Sequence, residues 1–344
     1  MRVRGGSCHT LIAGFLICAP LSPSRAQDFF AGKTITITTH SAAGGQYDGY
    51  LRLLARYIGK YIPGNPNIAV LNQVGAGGLL AVNHALTLAP RDGTFLTLVA
   101  NGLLLFQGVG QPGLRGSLGD LNWIGNFSAA NAITVVSASA GVRTIEDVRR
   151  KEIVIGSSGA GSISALLPAA HNALAGAKFR VVQGYEGSAA MNLAIRRGEL
   201  HGRSGSTWKE YQADFPQETR DGTLLALTQT GEAREADLPD TPLLTEIVGD
   251  DPGKLAAARF VSEALTQNRA LAAPPDVPAE IVAVLRAAFE KSIAEPEFLA
   301  NAKRAGLEIA PTTGEYVTKV VKDVLAAPAE TRALAKAAVD PLRN

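Results

Sequence analysis

Four short stretches carry residues whose types and spacing suit the binding of an anion. They are "HSAAGGQYD" (His40 to Asp48), "QVGAGG" (Gln73 to Gly78), "SSGAGSIS" (Ser157 to Ser164) and "QGYEGSAA" (Gln183 to Ala190). Each sets small residues between a strand-like run and the opening of a helical pattern. The first turn of a helix leaves N–H groups without intrahelical acceptors, and the helix dipole adds positive partial charge there. Glycine lets the backbone approach a ligand closely and adopt positive φ. Each such terminus is worth roughly 0.3–1 kcal/mol to an anion, so several that converge hold a carboxylate without a dedicated arginine. One loop of this kind is an ordinary turn; four in two successive units point to a shared ligand cleft.

The first stretch also holds a carboxylate, Asp48, close to a helix start. Two roles are open to it. As an N-cap it would satisfy exposed amides, worth about 1 kcal/mol. As a ligand residue it would read the donor-bearing end of a solute whose carboxylate rests on the amides of Ala43, Gly44, Gly45 and Gln46.

Other chemistries find less support. No G-x-x-x-x-G-K-[ST] run is present, so no P-loop is expected. "GAGSIS" approaches a dinucleotide fingerprint, yet the next strand ends in Gln183-Gly184, with no acid for a ribose. "GSSGA" misses the nucleophile-elbow pattern by one residue, and Ser158 would further need a histidine and an acid. His40, His84, His171 and His201 show no pairing spacing, and no H-E-x-x-H pattern appears. No catalytic group, metal or cofactor is therefore expected; an exported hydrolase is the least favoured reading.

The elements that must position these loops alternate along the chain. "KTITITTH", "NIAVLNQV" and "TFLTLVA" read as strands, separated by the helical pattern "YDGYLRLLARYIGKYI" and by a glycine loop feeding "LLAVNHALTLA". The unit recurs. "TIEDVRR" is a short helix with Thr144 as N-cap and Asp147 three residues on, followed by strands "EIVIGSS", "KFRVVQ" and "GTLLALTQTG". This β-α alternation predicts mostly parallel sheets covered by helices. From about Asp240 the chain is dominated by helical patterns, expected to pack back on the first sheet, with the chain crossing between two α/β lobes twice.

Composition bounds the rest. The 344 residues are 46% hydrophobic and 19% charged, which suits about two folded domains. Arg2 and Arg4 precede the apolar run "TLIAGFLICAPL", and "SPSRAQ" follows. This reads as a signal peptide over 1–26 cleaved near Ala26, since a run of about 12 residues is shorter than the roughly 20 a spanning helix needs. Both cysteines, Cys8 and Cys18, fall inside it, so the mature chain has no disulfide or thiol chemistry. Losing Arg2, Arg4 and Arg25 takes the formal charge from +2 to −1, and no basic run points to nucleic acid.

The order of the loops resembles the Bug receptors, the extracytoplasmic solute receptors of tripartite tricarboxylate transporters. "AAGGQYD", "NQVGAGG" and "PRDGTFL" stand where that family has a Gly-Gly-x-x-Asp loop, an Asn-x-Pro-Gly-Ala-Gly-Gly loop and a Pro-Asp-Gly turn. "IGSSGAGS", "VQGYEGSAA", "RGELHGR", "READLPDTPLLTE" and "APPDVPAEIVAVLRAAF" continue the likeness over nearly the whole mature chain. The resemblance implies a two-lobed, type II periplasmic-binding-protein fold that closes on an organic acid, each lobe a mostly parallel sheet flanked by helices. Lobe 1 would span 27–126 plus 235–344, and lobe 2 127–234. Carried over residue by residue, Ala43, Gly44, Gly45, Ser158, Gly159, Gly161 and Ser162 would hold a carboxylate, largely through backbone amides and waters. Asp48 would face the distal end, and Arg203, two residues past His201, would add an anion contact. Ala43, Tyr47, Glu186 and His201 depart from the family pattern. The implied partners are a small organic acid and the transporter's membrane components; a periplasmic monomer is expected. The alternative is a sensory or orphan binding protein that passes its loaded state to a signalling partner.

Overall fold

The computed structural model describes residues 29–159, 161–267 and 269–339; the expected signal peptide and both cysteines lie outside the described residues. The first unit runs β1 (Thr34–Thr39), α1 (Gln46–Ala55), β2 (Asn67–Asn72), α2 (Leu79–Thr87), β3 (Phe95–Leu98), α3 (Gly102–Gly108) and β4 (Asn122–Asn126). The second runs β5 (Ala132–Ser137), α4 (Ile145–Arg150), β6 (Ile153–Gly156), α5 (Ile163–Ala175), β7 (Phe179–Val182), α6 (Ser188–Arg196), β8 (Gly202–Ser206), α7 (Trp208–Asp214) and β9 (Leu224–Thr230). The chain then returns through α8 (Leu244–Ile247), α9 (Pro252–Leu265), β10 (Ala270–Ala273), α10 (Ala279–Ile293), α11 (Pro296–Arg304), β11 (Thr312–Thr313), α12 (Gly314–Leu325) and α13 (Ala329–Val339).

Two sheets form, ordered β11-β4-β10-β3-β1-β2 and β7-β6-β8-β5-β9. The parallel character expected from β-α alternation is found in β2-β1-β3 and in β7-β6-β8. The remaining strands pair antiparallel, so both sheets are mixed. The reason is connectivity. β10 follows the return from the second unit and inserts between β3 and β4, running opposite to both, and β11 adds antiparallel to the other side of β4.

Local sequence explains the elements that bear on the site. In β1 alternating Thr and Ile buries Ile35 and Ile37, as β-branched residues on a pleated surface do. In α4 Thr144 accepts from the Asp147 amide at 3.2 Å, and Asp147 accepts from the Thr144 amide at 3.0 Å, a reciprocal capping box.

The C-terminal helices divide their packing, which corrects the expectation that they return to the first sheet. α10 and α12 do pack on β4. α9 and α13 instead pack against each other and against α5 of the second unit. Small side chains permit the fit: α13 buries Ala335 and Ala338, and α5 buries Ala165, Ala169 and Ala170. One apolar cluster therefore runs from Val82 and Leu103 through Val261 and Ala335 to Leu166 and Ile155, joining both lobes behind the cleft.

Candidate functional site

A cavity of about 240 Å³ lies between the lobes and is lined by all four glycine loops. His40, Ser41, Gln46 and Tyr47 come from the loop after β1, and Val74 to Gly78 from the loop after β2. Ser158 and Ser162 to Ser164 come from the loop after β6, and Tyr185 to Ser188 from the loop after β7. The end of β3 adds Ala100 to Gly102, β8 adds Arg203 to Ser206, and Arg269 enters just ahead of β10. The loops meet because each follows the carboxyl end of a parallel strand, where open α/β sheets gather their ligand contacts.

The lobes touch across this cavity. A Cβ placed on Gly77 would lie 3.1 Å from the backbone of Gly161 and Ser162, and one on Gly102 would lie 2.8 Å from the Gly161 carbonyl oxygen. Only glycine permits two backbones from opposite lobes to approach this closely. Ser206 donates to Gln46 Oε1 at 3.4 Å, a polar contact between the lobes.

Of the residues singled out in the sequence, Gln46, Ser158, Ser162 and Arg203 line the cavity. Ala43, Gly44, Gly45, Asp48, Gly159 and Gly161 lie behind or beside it, outside the lining. The loop after β1 is occupied with itself. The Gly44 amide donates to Asp48 Oδ2 at 2.8 Å, and the Gly45 amide to the Ala42 carbonyl at 3.0 Å. Asp48 is not the N-cap either; that position is Gly45, and Asp48 sits in the first helical turn. Its buried carboxylate also accepts from Arg52 Nε at 2.8 Å and from Asn72 Nδ2 at 2.9 Å, tying α1 to the end of β2. Burial works against its charge, but the bonds from Arg52, the Gly44 amide and Asn72 outweigh it and hold the carboxyl below its ordinary range.

The loop after β6 is similarly self-bonded. The Ser158 amide donates to Ser164 Oγ at 3.3 Å and the Gly159 amide to Ser157 Oγ at 3.2 Å, while the Ser162 hydroxyl donates to the Gly159 carbonyl at 2.7 Å. The Ser164 and Ser157 hydroxyls occupy two amides, of Ser158 and Gly159, that a carboxylate was expected to take. At Ser158, Ser162 and Ser164 the loop lines the cavity with residues that carry hydroxyls.

Two buried guanidiniums line the cavity. Arg203 donates from Nε to Asn192 Oδ1 at 2.7 Å, from Nη1 to Ser206 Oγ at 2.7 Å and from Nη2 to Asp214 Oδ2 at 3.0 Å. It also lies over the Tyr211 ring, 4.4 Å from the centroid. The expected anion contact is thus a side chain with each nitrogen already engaged, which fixes Ser206 and, through it, Gln46. Arg269 donates to Glu210 Oε1 at 2.6 Å and to the Tyr47 hydroxyl at 3.1 Å. Glu210 also caps its own helix, accepting from the Thr207 amide at 3.1 Å. The Arg269–Glu210 pair joins the two lobes and is almost wholly buried, with side chains 2% and 0% exposed.

The histidines have assigned places. His171 bonds the Leu167 carbonyl and Thr228, His201 accepts from the Val154 amide, and His84 lies beside Gln73. His40 alone of them lines the cavity, packed on Tyr47 with ring centroids 4.3 Å apart. Burial, then the nearby Arg269 charge, pull its pKa down to about 4, so it is neutral at pH 7. Among the described residues no group of three or more potential metal ligands occurs.

The sequence reading missed Asn101, Gly102, Ser204, Ser206 and Arg269. For the first two a signal was present: "VANGLLL" follows a strand and opens a helix, the same design as the four loops. Arg269 had none, since Glu210 stands 59 residues away.

Known proteins resemble this chain in sequence and in fold. A protein of Pseudomonas sp. (strain P51), the UPF0065 protein in the tcbD-tcbE intergenic region, is 24% identical over 91% of this chain and 90% of its own. A TctC solute-binding protein from Polaromonas superposes with a TM-score of 0.61 at 23% identity, over 88% of this chain and 97% of that one. MatC from Rhodopseudomonas palustris, with bound malate, superposes with a TM-score of 0.67 at 17% identity, over 89% and 99%. The family described as the tripartite tricarboxylate transporter family receptor matches residues 52–337, and the chain belongs to that family.

Proposed function

We propose that this protein is an exported, periplasmic receptor that captures one small organic carboxylate between its lobes and delivers it to the membrane components of a tripartite transporter. The observation that carries this reading is the cavity itself. It is walled by loops from both lobes, lined by hydroxyls, amides and two guanidiniums, and covered where Gly77 and Gly102 meet the Gly161–Ser162 backbone. A cleft built so that two rigid bodies close over a solute holds and releases it without chemistry. The malate bound by MatC fits a carboxylate as the class. Among the described residues no helix is long and apolar enough to cross a membrane, so delivery would fall to separate membrane partners.

The test uses protein unfolded and refolded to strip any solute, then heated with a broad panel of organic acids. A ligand at 100 times its Kd is expected to add about 2.7 kcal/mol of stability. If no carboxylate raises the melting temperature, the receptor reading fails.

A further inference from the structure

We infer that the preferred solute is a polyhydroxylated monocarboxylate, an acid with one negative charge and a chain of hydroxyls. The inference rests on the receptor reading and narrows it to a class. It comes from the charges that line the cavity. Both lining guanidiniums already face a carboxylate of the protein, Arg203 at 3.0 Å from Asp214 and Arg269 at 2.6 Å from Glu210. Each pair is neutral, so neither arginine leaves an unmatched positive charge for a solute. The other charged lining residue is Glu186, exposed on the loop after β7. His40 contributes no charge at neutral pH.

A solute with one carboxylate needs only dipolar donors to settle there. A second carboxylate would be desolvated without a counter-charge and would meet Glu186, and both effects disfavour it. The remaining lining decides the rest of the solute. Ser158 and Ser188 carry hydroxyls that donate and accept, the Gln46 side-chain nitrogen donates, and hydroxyls of a solute answer both roles at once. An alkyl chain would leave such groups without partners after displacing their water.

The experiment is a two-by-two comparison of six-carbon acids by titration calorimetry on refolded protein. D-Gluconate has hydroxyls and one carboxylate, D-glucarate has hydroxyls and two, hexanoate has one carboxylate and no hydroxyls, and adipate has two and none. Gluconate is expected to bind at least tenfold tighter than each of the others. Glu186→Gln is expected to narrow the gap between gluconate and glucarate severalfold while leaving the gap to hexanoate in place. Equal or tighter binding of glucarate or adipate overturns the single-charge assignment, and equal or tighter binding of hexanoate overturns the hydroxyl assignment. Silence from all four also overturns this inference, whereas the receptor reading fails only if the broad carboxylate panel is silent as well.

Discussion

Arg203 and Arg269 line the same cavity and are equally buried, yet they hold different things together. Arg203 stands on β8 and reaches Asn192 on α6 and Asp214 on α7, so its bonds stay within the second lobe. Arg269 leads into β10 of the first sheet and reaches Glu210 on α7 of the second lobe. Of two guanidinium–carboxylate pairs built on buried arginines, one lies within a lobe and the other depends on how the lobes sit together. A buried pair favours closure only when its members stand on opposite sides of the joint.

Glu210→Gln should produce the largest effect. It keeps an oxygen for the Thr207 amide but leaves the Arg269 charge without its partner, for a loss of about 3 kcal/mol or more in urea denaturation. The double variant Glu210→Gln with Arg269→Met should recover most of that loss, because the pair can be removed more cheaply than it can be broken. A single-variant loss under about 1 kcal/mol would mean the pair behaves as a solvated one, and the contrast with Arg203 would collapse.

Gly102→Val should act on the contact between the lobes. Its side chain would meet the Gly161 carbonyl only when the lobes are together. Affinity should fall about a hundredfold, or ~2.7 kcal/mol, and because the same contact stands beside the buried Arg269–Glu210 pair the melting temperature should fall as well. Unchanged affinity would show that the inter-lobe contact is dispensable for binding.

Arg203→Met should cost about 2 kcal/mol of stability, since charged hydrogen bonds to Asp214, Asn192 and Ser206 are lost while Asp214 keeps partial access to water. Small-angle scattering should register no change in lobe separation for this variant, but a more open form for Glu210→Gln. The same opening in both variants would erase the distinction drawn between them.

The smallest effect expected is that of Asp48→Asn, about 1 kcal/mol at pH 7. Asp48 is held below its ordinary range, so its contribution is complete above the unfolded value and is lost as pH falls through the folded one. Wild type and variant should therefore begin to converge below about pH 4, the unfolded range, and meet only once pH has passed below the depressed folded value. Affinity should hardly move, because Asp48 is outside the cavity lining. A tenfold loss of affinity at full stability would return Asp48 to the site.

Much of this protein was determined by sequence alone, where the determinants are local. Alternating Thr and Ile specify β1, the Thr144–Asp147 spacing specifies a capped helix, and glycine between strand and helix marks each of the four loops that line the cavity. Periodicity, capping and positive φ act within a few residues, so a linear reading captures them. Only the tertiary structure decided what the loop atoms do. The Gly44 and Gly159 amides looked available from sequence, but Asp48 and Ser157 side chains occupy them. Asn72 reaches Asp48 across 24 residues, α13 settles on α5, and Glu210 finds Arg269 across the joint between lobes. Such partners are chosen by how the sheets and helices bring distant segments together, and among many possible carboxylates and guanidiniums the chain order does not say which will be buried face to face.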